Sequence, residues 1–177
     1  QKIFFPVLGQ YNLDKVDGVI YLAKKLGLTN QEIETGLKKI KTPAHRLQPI
    51  LNREKNILVI DDSYNGNPDG VEEAIQTLSL FKKRRKIFIT PGLVEMGDKS
   101  KEVHKRIGER LNDVVDLVIL IKNSVTPSVE EGLVKAGFNK KNIIWFDSMM
   151  EAQNNLGNIV KSGDVVLFQN DWPDNYV

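Results

Sequence analysis

The densest group of hydrogen-bonding side chains in this 177-residue sequence is the octapeptide Asp-Asp-Ser-Tyr-Asn-Gly-Asn-Pro at residues 61–68. It places two carboxylates, a phenol and two amides between an apolar run at 57–60 and a predicted helix start at Asn67. Carboxylates accept hydrogen bonds from hydroxyl groups, and amides both donate and accept them. The octapeptide could therefore hold a polar ligand, whereas a bare turn would need only the helix cap that Asn67 provides.

Two further polar segments follow apolar runs, at residues 91–98 and 169–176. The first is long for a strand-to-helix loop, and the second is both polar and aromatic. Ligands of open α/β sheets bind at the carboxyl ends of the strands. We therefore expect both segments to share one edge of a cleft with the octapeptide, and we expect Asp62 and Asn65 to be accessible to solvent.

The elements that must position these segments form an alternating pattern. From residue 56 onward, short apolar runs alternate with capped amphipathic segments, and the first four runs begin about 30 residues apart, the length of a strand-helix-strand unit. The runs at 57–60 and 117–121 are apolar throughout, as strands covered on both faces are. The predicted fold is α/β, with a doubly wound, mainly parallel, Rossmann-like sheet. Its predicted strands are residues 56–60, 86–90, 115–121, 143–146 and 164–168.

An additional strand is predicted at the edge of this sheet. The residues at 47–51 are separated from the first apolar run by the polar tetrapeptide Asn-Arg-Glu-Lys at 52–55. So short a connection predicts a hairpin, and a hairpin makes the added strand antiparallel to its neighbour.

Two helices are predicted before the sheet. Apolar residues recur at helical spacing through 15–27, and a capping box of Thr29 and Glu32 begins a second helix that ends before Pro43. These helices have no strand of their own to cover. We therefore expect a domain boundary near residues 42–46 and assign the two helices to a preceding domain.

The composition excludes several classes of protein. With 41% apolar and 27% charged residues the chain is typical of a globular domain, and a net charge of +2 indicates no nucleic-acid partner. No cysteine is present, which excludes disulfides and thiolate catalysis, and two histidines are too few for a histidine metal cluster. No apolar run approaches the roughly 18 residues needed to cross a membrane, and the amino end lacks the apolar core of a signal peptide. We therefore expect a cytoplasmic protein without a membrane partner.

The octapeptide at 61–68 resembles the Asp-Asp-Ser-Tyr-Asn-Ala-Asn-Pro signature of the Mur ligases that add D-alanyl-D-alanine to a muropeptide, with glycine in place of alanine. The Gly-Gln-Tyr-Asn element at 9–12 is similar to the family's Gly-x-His-Asn, although tyrosine replaces histidine. Arg46 stands where the family has an arginine in an interdomain linker. Residues 95–104 resemble the family's Glu-x-Gly pattern followed by a helical histidine. The resemblance covers nearly the whole chain.

This resemblance divides the chain into two parts. Residues 1–45, with two helices, would be the end of a central ATPase domain, and residues 46–177 would be the C-terminal Mur ligase domain. The resemblance implies an ATP-dependent ligase of peptidoglycan synthesis. ATP, with Mg²⁺, would phosphorylate the carboxylate of a UDP-N-acetylmuramoyl tripeptide, and the amine of D-Ala-D-Ala or a related amino acid would attack the acyl phosphate. Further N-terminal and central domains would be needed.

The resemblance also implies roles for particular residues. Asn12 would contact the adenine, Arg46 the nucleotide phosphates and Asp62 the ribose hydroxyls. A guanidinium suits a phosphate, and a carboxylate suits a pair of neighbouring hydroxyls. No residue is predicted to transfer a proton or to bind a metal. Three further residues would shape the junction between nucleotide and dipeptide: Tyr64, Asn65 and Asn67.

Two features set the chain apart from a complete enzyme of this family. Residues 169–176 do not match the Lys-Gly-Ser type of ending, which leaves the identity of the added amino acid open. The sequence also contains no Gly-x-x-x-x-Gly-Lys-Ser/Thr phosphate loop. We therefore expect the chain alone not to hydrolyse ATP.

The sequence was also compared with the features expected of other classes of protein. A carboxylate pair after the first strand is also typical of phosphorelay receivers, so a stand-alone signalling domain with an acidic pocket is the alternative function. Its fifth strand should end in a lysine, where this chain has Gln169. The basic run at 82–86 could contact nucleic acid, but its place before a strand favours a solvated turn. His104, on a predicted helix, is interpreted as a packing or surface residue.

Overall fold

The computed structural model describes residues 5–64 and 66–169 of the chain. These residues form six strands and six helices, which alternate from β2 onward, with short 3₁₀ turns at Gly97–Lys99 and Lys140–Asn142. The strands are β1 Gln48–Asn52, β2 Ile57–Asp62, β3 Lys86–Thr90, β4 Leu117–Ile121, β5 Ile143–Phe146 and β6 Val165–Gln169. The helices are α1 Gln10–Lys25, α2 Asn30–Lys38, α3 Pro68–Ser79, α4 Ser100–Leu111, α5 Thr126–Lys135 and α6 Met149–Ile159.

The strands form one sheet in the order β1-β2-β6-β3-β4-β5. Strand β1 pairs antiparallel with β2, and every other pair is parallel. This arrangement confirms the predicted α/β fold, a mainly parallel sheet with one antiparallel edge strand. Strand β6, which follows the other five in the chain, lies between β2 and β3.

Helices cover both faces of the sheet because its strands are apolar on both sides. Along β3, Phe88 packs with the apolar faces of α3, α4 and α5, whereas Ile87 and Ile89 pack on the opposite side with Ala152 of α6. All four side chains are fully buried. The doubly wound arrangement therefore follows from the continuous apolar runs that predicted it.

The predicted boundary of β2 was wrong by two residues at its carboxyl end. Asp61 and Asp62 continue the strand, because they pair with Phe168 and Gln169 of β6. The two carboxylates are therefore held by the ladder of the sheet, and the connecting loop begins only at Ser63.

The two leading helices also differ from their predicted ranges. Helix α1 begins at Gln10, directly after Gly9, which has a φ of 96°, and α2 ends at Lys38, so its last predicted turn is absent. No residue of α1 is fully buried, although its apolar stripe has the predicted spacing. Val19 and Leu22, for example, are 57% and 59% exposed. The described part of the chain therefore leaves the apolar face of α1 largely uncovered.

The basic run at 82–86 was predicted to be a solvated turn, and Lys82 and Lys83 do lie exposed in a turn. The two arginines that follow have structural roles that this prediction did not include. Arg85 pairs with the buried carboxylate of Asp164 through two nitrogens, at 2.6 and 3.1 Å. Arg84 donates to the backbone carbonyls of Asn56 and Asp164. These bonds tie the start of β3 to the start of β6, at the edge opposite the carboxyl ends of the strands.

Helices α4 and α5 cross at two glycines. A Cβ atom at Gly108 would lie well under 3.0 Å from the carbonyl oxygen of Val129, and one at Gly132 would lie equally close to that of Lys105. The two backbones therefore touch, and only glycine fits at either position. No helix in the described ranges has the length and apolar character to cross a membrane.

Candidate functional site

Asp62 ends β2 at the carboxyl edge of the sheet, in a half-buried position. Its Oδ1 accepts a hydrogen bond from the backbone N–H of Leu47, at 3.1 Å. Burial raises the pKa of Asp62 to about 6, against the lowering effects of the Leu47 bond and of the charge of Arg46. Burial disfavours the charged form of a carboxyl group. The structure thus holds a carboxylate where its charge is costly, which is typical of functional sites.

Arg46 lies beside this carboxylate and over an aromatic ring. Its guanidinium carbon is 4.6 Å from the centroid of the Tyr64 ring. The flanking residues His45 and Leu47 have φ values of 59° and 47°, a left-handed conformation that is uncommon outside glycine. The linker therefore makes a tight reversal that brings Arg46 over the octapeptide.

A second set of bonds fixes this reversal to the end of β2. The carboxylate of Asp61 contacts Nδ1 of His45 at 2.8 Å and accepts from the hydroxyl of Ser63 at 2.6 Å. The backbone N–H of Tyr64 donates to the carbonyl of His45 at 3.1 Å. Ser63 donates to the carboxylate, and its oxygen lies 3.5 Å from the same ring nitrogen that Asp61 contacts. This geometry provides no base for a serine nucleophile, so the three side chains act as a structural tie.

The amino terminus of α3 forms the next wall of the site. Asn67 caps the helix, as predicted, with its Oδ1 accepting from the N–H of Gly70 at 2.8 Å, and Pro68 occupies the first helical position. A helix amino terminus carries a partial positive charge, which favours anionic ligands. The Oδ1 atom of Asn67 is therefore occupied by the helix cap, and this confirms the predicted cap.

These parts surround an open cavity of about 350 Å³ between α1 and the start of α3. Arg46, Asp62 and Asn67 all line it. Opposite them stand Tyr11 and Lys15 of α1, and the ammonium of Lys15 lies 4.8 Å from the centre of the Tyr11 ring. The remaining lining residues are Leu47, Gly66, Asp69, Gly70 and Glu73. The cavity thus offers two cations and a helix amino terminus on a rim that also carries carboxylates.

The structure brings together three of the six predicted site residues in this cavity: Arg46, Asp62 and Asn67. Tyr64 joins them through its contact with Arg46, and it is 57% exposed. Asn12 lies on α1 outside the lining, where its amide donates to the carbonyl of Leu8 at 2.6 Å. Asn65 lies outside the described residues, as does the segment at 170–177.

Tyr11 and Lys15 were not among the predicted lining residues. One sequence signal could have found Lys15, because it follows Tyr11 by four residues on a helix and so shares its face. That face lies over α3 because α1 contacts α3. A local sequence pattern cannot predict a contact between two elements that are distant in sequence.

The loop that follows β3 reaches the same carboxyl edge and is anchored by buried polar groups. The hydroxyl of Thr90 accepts from the N–H of Gly92 and donates to Oε1 of Gln169, with both distances 2.8 Å. The ring of His104, on α4, is fully buried and accepts from the N–H of Leu93 at 2.9 Å. His104 was predicted to be a packing or surface residue, and its burial shows that it is a packing residue. Its contact with the loop could not be seen from the sequence.

A doubly wound sheet with a charged cavity at its carboxyl edge defines the chain as an α/β domain of the kind whose ligands bind at that edge. The family described as Mur ligase, glutamate ligase domain, matches residues 45–169. The chain belongs to this family, and the resemblance found in the octapeptide is confirmed.

Several of the proteins similar to this chain share the same name. The UDP-N-acetylmuramoyl-tripeptide–D-alanyl-D-alanine ligase of Bacillus subtilis is 25% identical over 94% of this chain and 36% of its own length. The ligase of the same name from Haemophilus influenzae is 32% identical over 66% of this chain and 25% of its own length. The crystal structure of MurF ligase from Thermotoga maritima in complex with ADP has a TM-score of 0.75 and 26% identity, covering 93% of this chain and 36% of that one. The matched part of the chain thus spans between a quarter and about a third of the length of these relatives.

Proposed function

We propose that the chain is the C-terminal part of an ATP-dependent ligase that adds D-Ala-D-Ala to a UDP-N-acetylmuramoyl tripeptide. Two further parts of the proposal concern its organisation: residues 1–45 complete a preceding ATPase domain, and residues 46–177 form the C-terminal domain. The names of the similar proteins support the reaction. The family match from residue 45 and the uncovered apolar face of α1 support the division.

In this reaction the terminal carboxylate of the tripeptide attacks the γ-phosphorus of ATP, which gives an acyl phosphate and ADP. The amine of D-Ala-D-Ala then attacks the acyl carbon, the new C–N bond replaces the C–O bond to phosphate, and inorganic phosphate leaves. The amine releases a proton in this step, and no residue of this chain is proposed to accept it. The chain's contribution is to bind and orient the reactants.

The observation that carries the proposal is the meeting of Arg46 and Asp62 in one cavity at the amino terminus of α3. A guanidinium and a helix amino terminus both favour phosphate oxygens. A half-buried carboxylate with a raised pKa gains stabilisation from ligand hydroxyls, because each hydroxyl donates to the charged form. We assign the nucleotide phosphates to Arg46 and the ribose hydroxyls to Asp62. Asn12 is proposed to contact the adenine, which requires its amide to leave the carbonyl of Leu8.

The junction between nucleotide and dipeptide is proposed to involve Tyr64, Asn65 and Asn67. Tyr64 supports this by its exposure and by its contact with Arg46, which places it at the mouth of the cavity. Asn67 supports it as a lining residue whose cap fixes the start of α3. The identity of the added dipeptide rests on the names of the relatives.

ATP is expected to bring Mg²⁺ into the reaction. Across residues 5–64 and 66–169, no three histidine, cysteine, aspartate or glutamate side chains converge on a metal site. Nucleotide-bound Mg²⁺ is usually held by phosphates and water with only one or two carboxylates. No step through the ion is assigned to the residues of this chain. Since the sequence lacks a phosphate loop, we propose that the chain alone does not hydrolyse ATP and that the central domain supplies that loop. We further propose that the enzyme acts in the cytoplasm, and membership of the Mur ligase family favours this function over a receiver domain.

The test is release of phosphate from ATP by the full-length protein in the presence of UDP-N-acetylmuramoyl tripeptide. Release should require D-Ala-D-Ala, and the mass of the product should equal that of the joined peptide. Asp62→Ala should raise the KM for ATP about tenfold, since it removes charge-assisted bonds to the ribose. Asn65→Ala should lower kcat.

Asp113→Ala provides the matched control, because Asp113 is an exposed acid that precedes β4 at the opposite edge of the sheet. It should leave both constants unchanged. Wild-type kinetics in the Asp62 variant would remove the cavity from the nucleotide site. Robust ATPase activity of the 177-residue chain alone would contradict its role as one part of an enzyme.

A further inference from the structure

His104 is fully buried, and both of its ring nitrogens are engaged with backbone groups. Nε2 lies 2.9 Å from the backbone nitrogen of Leu93, which can only donate. Nδ1 lies 2.6 Å from the carbonyl oxygen of Ser100, which can only accept. These partners require a neutral ring with its proton on Nδ1. Burial lowers the pKa of His104, which favours the same neutral form.

The loop that His104 holds is anchored twice in succession. The N–H of Gly92 donates to the Thr90 hydroxyl, which Gln169 orients, and the next N–H, that of Leu93, donates to His104. Backbone N–H groups of a surface loop are normally satisfied by water. Here buried side chains of β3 and α4 take that place, so the conformation of the loop is set from the interior.

Gly92 shows how closely the ring and the loop backbone approach. Its φ is 86°, and a Cβ atom there would lie 2.9 Å from Nε2 of His104 and 2.6 Å from Cγ2 of Val125. No side chain fits in that space. The imidazole therefore touches the loop directly at the residue before the one that it binds.

The loop at 91–99 lies on the same edge of the sheet as the proposed nucleotide contacts, which suits it to bind the second reactant, the acceptor amine. Strand β3 is separated from β2 by β6 alone, so their carboxyl ends lie about 10 Å apart along one edge. The proposed nucleotide contacts, Arg46 and Asp62, stand at the β2 end. The loop carries exposed Glu95, whose φ is 60° and whose negative charge suits a protonated amine and repels phosphate.

We propose that His104 is a positioning residue for the acceptor amine: its neutral ring fixes the loop at 91–99 in the conformation that receives the amine. This inference rests on the proposed ligase function. His104 touches no reactant, and it acts through the N–H of Leu93. It follows that replacing the ring should affect use of the acceptor and leave use of ATP almost unchanged.

The experiment compares variants of the full-length enzyme by their kinetics with D-Ala-D-Ala and with ATP. His104→Leu removes the acceptor of the Leu93 N–H, whereas the amide oxygen of His104→Gln can replace it. If the leucine variant fails to fold, Thr90→Val tests the neighbouring anchor, with Thr90→Ser as its conservative partner. Thr77→Val is the matched control, because Thr77 is also a buried threonine and lies in the last turn of α3, away from the loop at 91–99.

We expect His104→Leu and Thr90→Val to raise the KM for D-Ala-D-Ala about tenfold with less than a twofold change in the KM for ATP. His104→Gln and Thr90→Ser should restore most of the loss, and Thr77→Val should match the wild type. Hydrogen exchange on the same proteins should show faster exchange of the Leu93 N–H in His104→Leu alone.

The outcomes separate this inference from the proposed function. A wild-type protein inactive with D-Ala-D-Ala overturns the proposed function and, with it, the role of the loop. An active wild type with an unchanged acceptor KM in both His104→Leu and Thr90→Val overturns only the inference. Equal rises in both KM values, or the same rise in Thr77→Val, would show a general loss of structure and would also overturn it.

Discussion

The guanidinium of Arg46 lies 4.6 Å from the centre of the Tyr64 ring, which joins the linker to the octapeptide by a cation–π contact. The ring lies on one side of Arg46, and the carboxylate of Asp62 lies near enough to feel its charge. Arg46 is thus held in place before any ligand arrives. A preorganised guanidinium loses less conformational freedom when it binds a phosphate.

The first prediction separates the ring of Tyr64 from its hydroxyl. In the full-length enzyme, Tyr64→Leu should raise the KM for ATP about twofold to fivefold, because an exposed cation–π contact contributes about 0.5 to 1 kcal/mol. Tyr64→Phe keeps the ring and should retain the wild-type value. Steady-state kinetics with varied ATP provide the measurement, and an equal effect of both variants would assign the role to the hydroxyl.

The second prediction concerns the stability of the chain as a function of pH. The pKa of Asp62 is raised from 3.8 to about 6 in the folded chain, so the unfolded chain releases this proton first. The folded form is therefore favoured below pH 3.8, and this contribution is lost as the pH rises through about 6. Asp62→Asn carries no such charge and keeps an oxygen for the N–H of Leu47.

Urea unfolding of the wild type and of Asp62→Asn should therefore diverge between pH 4 and pH 7. Above pH 7 the asparagine variant should be more stable by about 1 to 3 kcal/mol, where the upper figure corresponds to the full shift and partial exposure lowers it. The two proteins should converge near pH 4. A constant difference across this range would mean that Asp62 does not titrate there.

The sheet could be predicted from the sequence because its signals are local. Apolar runs of strand length and capped helices mark β3 and β5 with their observed bounds. The end of β2 could not be predicted in this way, because Asp61 and Asp62 look like loop residues. They become strand residues only through pairing with Phe168 and Gln169, more than 100 residues later in the chain.

In the candidate site, too, local features could be predicted from the sequence and contacts between distant elements could not. The cap at Asn67 was predictable, because helix-start signals lie within three residues of one another. The roles of Lys15 and His104 were not, because each depends on the packing of two elements that are distant in sequence. Sequence motifs were sufficient to locate the site, but the other side chains that surround it could be identified only from tertiary contacts.

The third prediction tests the crossing of α4 and α5. Gly108→Ala should lower the free energy of unfolding by about 2 to 3 kcal/mol, because the added Cβ meets the backbone of Val129. Gly157→Ala is the matched control in α6, where nothing lies within 4 Å of the new Cβ. It should raise stability by about 0.5 to 1 kcal/mol, since alanine favours a helix over glycine. Chemical denaturation of both variants measures these changes, and equal effects would contradict the close crossing.

The fourth prediction concerns the ion pair at the amino edge of the sheet. Asp164→Ala should cost about 2 to 3 kcal/mol, because it removes a 3% exposed carboxylate that holds Arg85 and the N–H of Lys161. The figure is at the lower end for a buried pair because the Arg85 side chain is a third exposed. Asp147→Ala, which breaks an exposed pair with Lys122, should leave the Tm unchanged. A similar loss in both variants would show that burial does not decide the effect.

The central place of β6 has a consequence for biosynthesis. A ribosome makes β1 to β5 first, and until β6 emerges the chain can form only two separate fragments of sheet, each with an unpaired inner edge. Insertion of β6 closes both edges at once and, in the same event, completes the pairing of Asp61 and Asp62 and brings Gln169 to Thr90. Nascent chains should therefore depend on chaperones that shield open strands until this late step. A chain that ended before residue 165 would lack β6, and the strand ends that carry the site would not be held together at one edge of the sheet. Such a chain would be a target for proteolysis.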